Sequence, residues 1–162
     1  MLSDEFTQAI KIISKELNPR YLDYALIGSS NLALQGMDIS PHDLDFVMKL
    51  VDLKKIPEIF KKYSPSDVEE LNHDSKDPAW TSKIEKHPAW NVHFNIGNVP
   101  VQILGELDDG DYVSKLLPKR LIYIGLDKIK VPCFSLETEA QSYIDTFRPQ
   151  KAEKIITFLK SQ

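Results

Sequence analysis

A single cysteine, Cys133, is too little for a disulfide framework or a cysteine-based zinc cluster in a chain of 162 residues. Glycine is scarce at six, and ten prolines are scattered, so no linker or low-complexity tract stands out and no solenoid repeat is found. Long apolar runs are missing too: none approaches the ~20 residues of a membrane span, and the mean hydropathy is −0.28. The first residues, Met1-Leu2-Ser3-Asp4-Glu5, are acidic and lack an apolar signal core. A cytoplasmic protein with no membrane partner is therefore expected. Positive charge is also in short supply. Twenty Lys and Arg against 24 Asp and Glu give a formal charge of −4, which argues against a protein whose main task is gripping long nucleic acid. What remains is globular: 42% hydrophobic and 27% charged residues suffice for a core without staples and exclude global disorder.

Hydrophobic periodicity outlines the elements. Phe6, Ile10, Ile13 and Leu17 recur at helical spacing, with Ser3 or Asp4 as N-cap and Pro19 past the end. Tyr24 to Ile27 reads as a buried strand entering Gly28. Ser29, Ser30 and Asn31 offer caps for a short helix, Leu32 to Gln35, that Gly36 can end. Asp43 to Leu50 alternates as a strand, with Leu44, Phe46 and Met48 on one face and Asp43, Asp45 and Val47 on the other. Lys54 to Tyr63 reads as a helix with Pro57 near its start and lysines on a solvated face. Ser66, with Glu69 three residues on, could open a short helix in the polar stretch 64–87. Pro78-Ala79-Trp80 recurs as Pro88-Ala89-Trp90, either by chance or as two aromatic anchors of one loop.

Trp90 to Ile96 and Val99 to Leu104 flank Gly97-Asn98, a two-residue loop suited to a type II′ hairpin. That loop fixes the register. Ile96 faces Val99, Phe94 faces Val101 and Val92 faces Ile103 on one apolar side, while His93 faces Gln102 on the other. Pro100 falls where its missing N–H points away from the hairpin partner, so that spot should be an edge or unpaired. Arg120 to Ile124 and Ile129 to Cys133 read as further strands. Ser135 can cap a helix with Leu136, Ala140, Tyr143, Ile144 and Phe147 on one face. Pro149 suits the first position of a final helix with Ala152, Ile155, Ile156 and Leu159 inward.

The chemistry concentrates in two blocks, Ala25-Leu26-Ile27-Gly28-Ser29-Ser30 and Pro41-His42-Asp43-Leu44-Asp45-Phe46. A buried strand running into Gly-Ser and a helix start lets a ligand approach Gly28 closely. It also aims N–H groups at an anion, usually phosphate, to which a Ser29 or Ser30 hydroxyl can add a hydrogen bond. Asp43 and Asp45, at i and i+2 of a strand, share one face ~7 Å apart. Such carboxylates repel unless a cation lies between them, and hard oxygen ligands select Mg²⁺ or Mn²⁺. A phosphate cradle beside a divalent-metal site is what nucleotidyl transfer requires.

With these two motifs in this order, the chain resembles the nucleotidyltransferase superfamily with the polymerase-beta-like fold. It resembles the small stand-alone members, such as lincosamide and aminoglycoside nucleotidyltransferases and the minimal nucleotidyltransferases of prokaryotes. The match is close over residues 20–50 and looser over 90–106 and 135–160. The resemblance implies that Gly28 and Ser29 lie under a triphosphate and that Asp43 and Asp45 bind metal. Tyr143 to Ile155, with Arg148 and Lys151, looks like the basic helical end of many small members, and those two side chains are either phosphate contacts or a solvated face.

The superfamily also draws a third carboxylate from a later strand, within a segment like Val99 to Leu104. Here that residue is Gln102, whose amide oxygen can ligate a hard cation but carries no charge and is no general base. Glu106 has the right parity to share its face, and His93 opposite could serve as base. His42 could touch phosphate or be a plain loop residue. Trp80 and Trp90 could stack on a nucleobase or simply pack. Cys133 reads as a buried small hydrophobe.

The expected architecture is a single α+β domain over 1–162: a mixed, twisted sheet with helices mainly on one face, core about 20–134, and a short helical tail over 135–162. The expected activity is metal-dependent transfer of a nucleoside monophosphate from a nucleoside triphosphate to an acceptor hydroxyl, releasing pyrophosphate. The acceptor is expected to be a small molecule or protein rather than long nucleic acid, with a second copy or a helical protein as partner. The alternative is a degenerate nucleotide-binding or interaction module of the same fold, including one half of a toxin–antitoxin pair.

Overall fold

A computed structural model describes residues 1–71, 88–110, 112–116 and 118–162. Within them, seven strands form one mixed sheet: β1 (Tyr24–Ile27), β2 (Leu44–Lys49), β3 (Glu69–Glu70), β4 (Ala89–Ile96), β5 (Val99–Glu106), β6 (Leu121–Leu126) and β7 (Ile129–Phe134), in the order β3-β4-β5-β2-β1-β7-β6. β2 runs parallel to β5 and β1 parallel to β7, and the other neighbours are antiparallel.

The principal core fills one face of this sheet. Helix α1 (Asp4–Leu17), capped by the Ser3 hydroxyl accepting from the Phe6 amide, lays Ile10, Ile13 and Leu17 over Leu26, Phe46 and Ile103. Two short helices, α3 (Leu50–Leu53) and α4 (Ile56–Ile59), extend that layer with Leu53 and Ile56, and Phe60 follows and stacks on Phe94. The opposite face holds a smaller cluster of Ala25, Ile27, Val47, Leu104, Leu116 and Phe134. α1, α3 and α4 therefore share the face of the principal core. α2 (Gly28–Leu34), α5 (Leu136–Asp145) and α6 (Pro149–Lys160) pack together through Leu32, Met37, Leu136, Ala140, Ala152 and Ile155.

The β4–β5 hairpin has the register expected of its loop, Ile96 to Val99 through His93 to Gln102, with φ 59° at Gly97. Pairing of β5 with β2 begins at Val101, so Pro100 has no ladder bond to supply on that side. Ser135 caps α5 by accepting from the Thr138 amide, and Pro149 opens α6.

Five local expectations are corrected. The helix expected over Lys54–Tyr63 is broken into α3, α4 and a 3-10 turn (Lys61–Tyr63). Pro57 sits at the second position of α4, where its missing N–H and its ring end the preceding turn. Ser66 opens no helix: it brackets the edge of β4, its amide donating to the His93 carbonyl and its hydroxyl accepting from the His93 amide. α2 starts at Gly28, three residues before the expected caps run out, with Ile27 at the N-cap position and no side-chain cap of its own. α5 ends before Phe147, which is 71% exposed, and Ile144 within the helix is on its solvent side at 46% exposure. In α6, Ile156 is likewise 36% exposed, and Phe158 joins the packing against Ala152 and Ile155. Trp80, His73 and His87 lie outside the described residues.

Candidate active site

The site is built where β1 ends. Ile27 passes directly into α2 at Gly28, which takes φ 72°, a left-handed conformation that a side chain resists. A Cβ at Gly28 would lie 3.0 Å from Asp45 Oδ2, so the glycine also permits the helix start to sit against the β2 carboxylate. Asp45 pairs with Ile27 on one side and with Gln102 on the other, and Gln102 pairs with His93. One row across the sheet thus reads Ile27, Asp45, Gln102, His93, with neighbours ~4.8 Å apart.

Asp43 lies just before β2 and is half-buried. Burial first, and the Asp43 charge second, push Asp45 up to about 7. Ser30 is buried, and its hydroxyl donates to the Asp43 carbonyl at 2.5 Å. Contrary to expectation, then, its proton fastens α2 to the start of β2, while Ser29 next to it lines an open cavity.

A further carboxylate reaches the site from α5. Glu139, 3% exposed, accepts at Oε1 from the Gly28 amide (2.8 Å) and from Asn31 Nδ2 (2.7 Å). Burial foremost, joined by the Asp45 charge, raises Glu139 to about 7, against the two hydrogen bonds and Lys115, which lower it. Lys115 is itself buried. It donates to Ser142 Oγ at 2.9 Å, lies 3.6 Å from Asp145 Oδ2 and rests over the Tyr112 ring.

Tyr143 completes this wall. Burial raises its hydroxyl above the ordinary range, Glu139 and Asp45 add to that, and the Arg148 guanidinium counters it. Lys151 Nζ sits 5.4 Å from the Tyr143 ring centre. Both residues line a cavity of about 520 Å³ between α2 and α6, together with Ser29, Leu32, Ile39, Lys154 and Phe158. Arg148 and Lys151 therefore approach the carboxylate cluster by way of Tyr143.

Not every candidate converges. Glu106 is buried four residues beyond Gln102 on β5, paired with Lys49, and its Oε2 accepts from the Tyr112 amide at 3.0 Å. Four strand residues are ~13 Å, so Glu106 holds the Tyr112 amide away from Asp45. His93 is exposed, 3.8 Å from Glu69 Oε2. His42 is exposed, and Trp90 packs half-buried against the main core. Sequence reasoning missed Glu139, Ser142, Tyr143 and Thr146 as one set. Their spacing of i, i+3, i+4 and i+7 is a helical stripe, but a polar stripe ordinarily marks a solvated face.

The donor set offered to a divalent cation is two carboxylates, Asp43 and Asp45, and the amide oxygen of Gln102 beside them. Among the described residues no group of three or more His, Cys, Asp or Glu side chains could hold a metal ion. The set still fits a hard cation, because all three donors are oxygen and the mutual repulsion felt at Asp45 is what a cation would relieve.

Three comparisons bear on this geometry. The family model described as aminoglycoside-2″-adenylyltransferase matches residues 9–155. No curated protein sequence matches the chain. Among solved structures, a candidate nucleotidyltransferase of Thermotoga maritima superimposes over 100% of this chain and 97% of its own, with TM-score 0.68 and 22% identity. The crystal structure of ANT(2″)-Ia in complex with adenylyl-2″-tobramycin covers 95% of this chain and 98% of its own, with TM-score 0.51 and 14% identity. The solution structure of ANT(2″)-Ia covers 94% and 85%, with TM-score 0.54 and 15% identity. At these identities the likeness is one of fold.

Proposed function

The chain belongs to the aminoglycoside-2″-adenylyltransferase family of nucleotidyltransferases, and from that premise we propose that it moves a nucleoside monophosphate from a nucleoside triphosphate to an acceptor hydroxyl. The bond from the α-phosphorus to the β-phosphate oxygen breaks, an ester to the acceptor oxygen forms, and pyrophosphate leaves. The observation that supports this reading is the approach of Gly28 to Asp45, which sets the start of α2, with Ser29 on the wall of the cavity, against the β2 carboxylate.

Asp43 and Asp45, with Gln102 beside them, would hold Mg²⁺ or Mn²⁺. Such an ion, when bound, orients the triphosphate and offsets charge developing at phosphorus. Ser29, with its hydroxyl at the cavity wall, receives phosphate oxygens. Gly28 contributes close approach rather than a free amide, since its N–H already donates to Glu139. Arg148 and Lys151 offset phosphate charge from the α6 side. Gln102 cannot accept the acceptor's proton. His93 stands at the far end of the row, ~10 Å from Asp45 and beside Glu69, so the proton would reach it only through solvent. A cytoplasmic setting suits both the triphosphate supply and the free, buried Cys133. Aminoglycosides such as tobramycin are the first acceptors to assay.

The test is labelled nucleotide transfer, or pyrophosphate release, in Mg²⁺ against a panel of acceptors. Asp45→Asn should lower it by about 10²-fold or more; unchanged activity would remove Asp45 from the mechanism. Gln102 favours a second reading, in which the fold binds nucleotide without turnover. That protein would gain thermal stability from triphosphate and Mg²⁺ yet release no pyrophosphate with any acceptor.

A further inference from the structure

The Glu139 carboxylate lies 111 residues from Gly28 in the chain and bonds its amide directly. α2 has no cap from its own flank, because Ile27 stands at the N-cap position. Glu139 supplies that cap from α5, and it is held in place by a network with no slack. Asn31 Nδ2 donates both to Glu139 and to the Phe134 carbonyl (2.9 Å), and Gln35 Nε2 donates to Asn31 Oδ1 (2.7 Å) and to the same carbonyl (2.8 Å). Both Asn31 and Glu139 are buried. The atom so gripped is the amide of the one residue whose left-handed turn brings the backbone against Asp45 and hands the chain on to Ser29. The carboxylate approaches Asp45, a like charge, and carries the desolvation of full burial, a cost that plain helix capping does not require.

We propose that Glu139 is a positioning residue of the transfer reaction: through the Gly28 amide it sets the turn that places Ser29 and Asp45 for the triphosphate, which makes α5 part of the nucleotide site. This rests on the reading of the site given above. Rotation about the Gly28 φ would move Ser29 and the Asp45 contact together, and misplacement on the order of 1 Å can cost about 10²-fold in rate.

The experiment compares Glu139→Gln, Glu139→Asp and Glu139→Leu with the parent protein in Mg²⁺. Three quantities are read well below each melting temperature: hydrogen exchange at the Gly28 amide, kcat, and KM for the triphosphate. Glutamine keeps an oxygen at the same reach, so Gly28 protection and kcat should stay within about threefold of the parent. Aspartate keeps the charge but withdraws the oxygen by one methylene. Gly28 protection should then fall at least about tenfold and kcat fall with it by about tenfold or more, while KM changes less. Leucine should do the same, and if it fails to fold, the aspartate variant alone decides. Folded Glu139→Asp that loses Gly28 protection but keeps the parental kcat would overturn the proposal, leaving Glu139 a structural cap. Loss of kcat in Glu139→Gln with Gly28 protection intact would also overturn it, since charge rather than position would then matter. A parent protein that neither binds nor turns over triphosphate would instead refute the function proposed for the site, and in that case Gly28 exchange would still report whether Glu139 sets the turn.

Discussion

Asp45 and Gln102 are direct neighbours in the parallel pairing of β2 with β5. A carboxylate at position 102 would therefore stand ~5 Å from the Asp45 backbone, on the same face and within reach of one shared cation. Gln102→Asp should raise Mg²⁺-dependent pyrophosphate release by about tenfold or more, because it adds a charged ligand and a proton acceptor at once. The same variant should melt at a lower temperature in EDTA, because a third negative charge joins Asp43 and Asp45, and recover on adding Mg²⁺. Unchanged turnover together with an unchanged response to Mg²⁺ would show that no cation binds between these strands.

The two raised carboxyl groups set the pH dependence of stability. Asp45 and Glu139 both stand at about 7 in the folded chain, from ordinary values near 4. Between roughly pH 4 and 7 the folded state holds more protons than the unfolded one, so stability falls as pH rises through that window, and the full penalty is present above it. In metal-free buffer the melting temperature should drop by several degrees from pH 5 to pH 8, as measured by scanning calorimetry. Asp45→Asn should remove part of that slope and raise the melting temperature at pH 8 while abolishing transfer. A protein more stable at pH 8 than at pH 5 would mean that the two carboxyl groups are solvated in solution.

Gly28→Ala tests the close approach. The backbone there keeps φ 72°, and the new methyl would meet Asp45 Oδ2 at 3.0 Å. The left-handed conformation alone costs about 1–2 kcal/mol, so the melting temperature should fall by a few degrees. Asp45 must also shift to admit the methyl, so stabilisation by triphosphate and Mg²⁺ should weaken more than the parent stability does. Equal stability and equal nucleotide response would place Asp45 away from Gly28.

Much of this architecture was legible because short-range rules decide it. The Gly97-Asn98 loop sets eight paired positions of β4 and β5, and Gly28, Asp43 and Asp45 fall together where β1 ends beside the start of β2. Glu139 was not legible, because its partner is the Gly28 amide far away in sequence, and a glutamate beside Glu137 on an amphipathic helix reads as solvated. Glu106 misled for a related reason: strand parity puts it on the face of Gln102, but parity says nothing of the ~13 Å between them along β5. At Pro57 a local rule was underweighted, since one imide was enough to divide an expected ten-residue helix.

Phe147 offers a stabilising change. α5 ends in a pair of bonds in which the Phe147 amide donates to the Ile144 carbonyl and the Arg148 amide to the Tyr143 carbonyl at 2.7 Å. That motif wants a left-handed residue at the position of Phe147, usually glycine. Phenylalanine takes φ 58° there with 71% of its surface exposed, so it bears the strain and buries little in return. Phe147→Gly should relieve about 1–2 kcal/mol of strain against about 0.5–1 kcal/mol of added chain entropy, for a net gain of about 0.5–1 kcal/mol and a rise of a few degrees in melting temperature. Arg148 follows directly and keeps its bond to Tyr143, so transfer activity should persist in the stabilised protein. A fall in melting temperature that grows with protein concentration would instead show that the ring is covered by a second chain in solution, where its apolar area and not its backbone would decide the outcome.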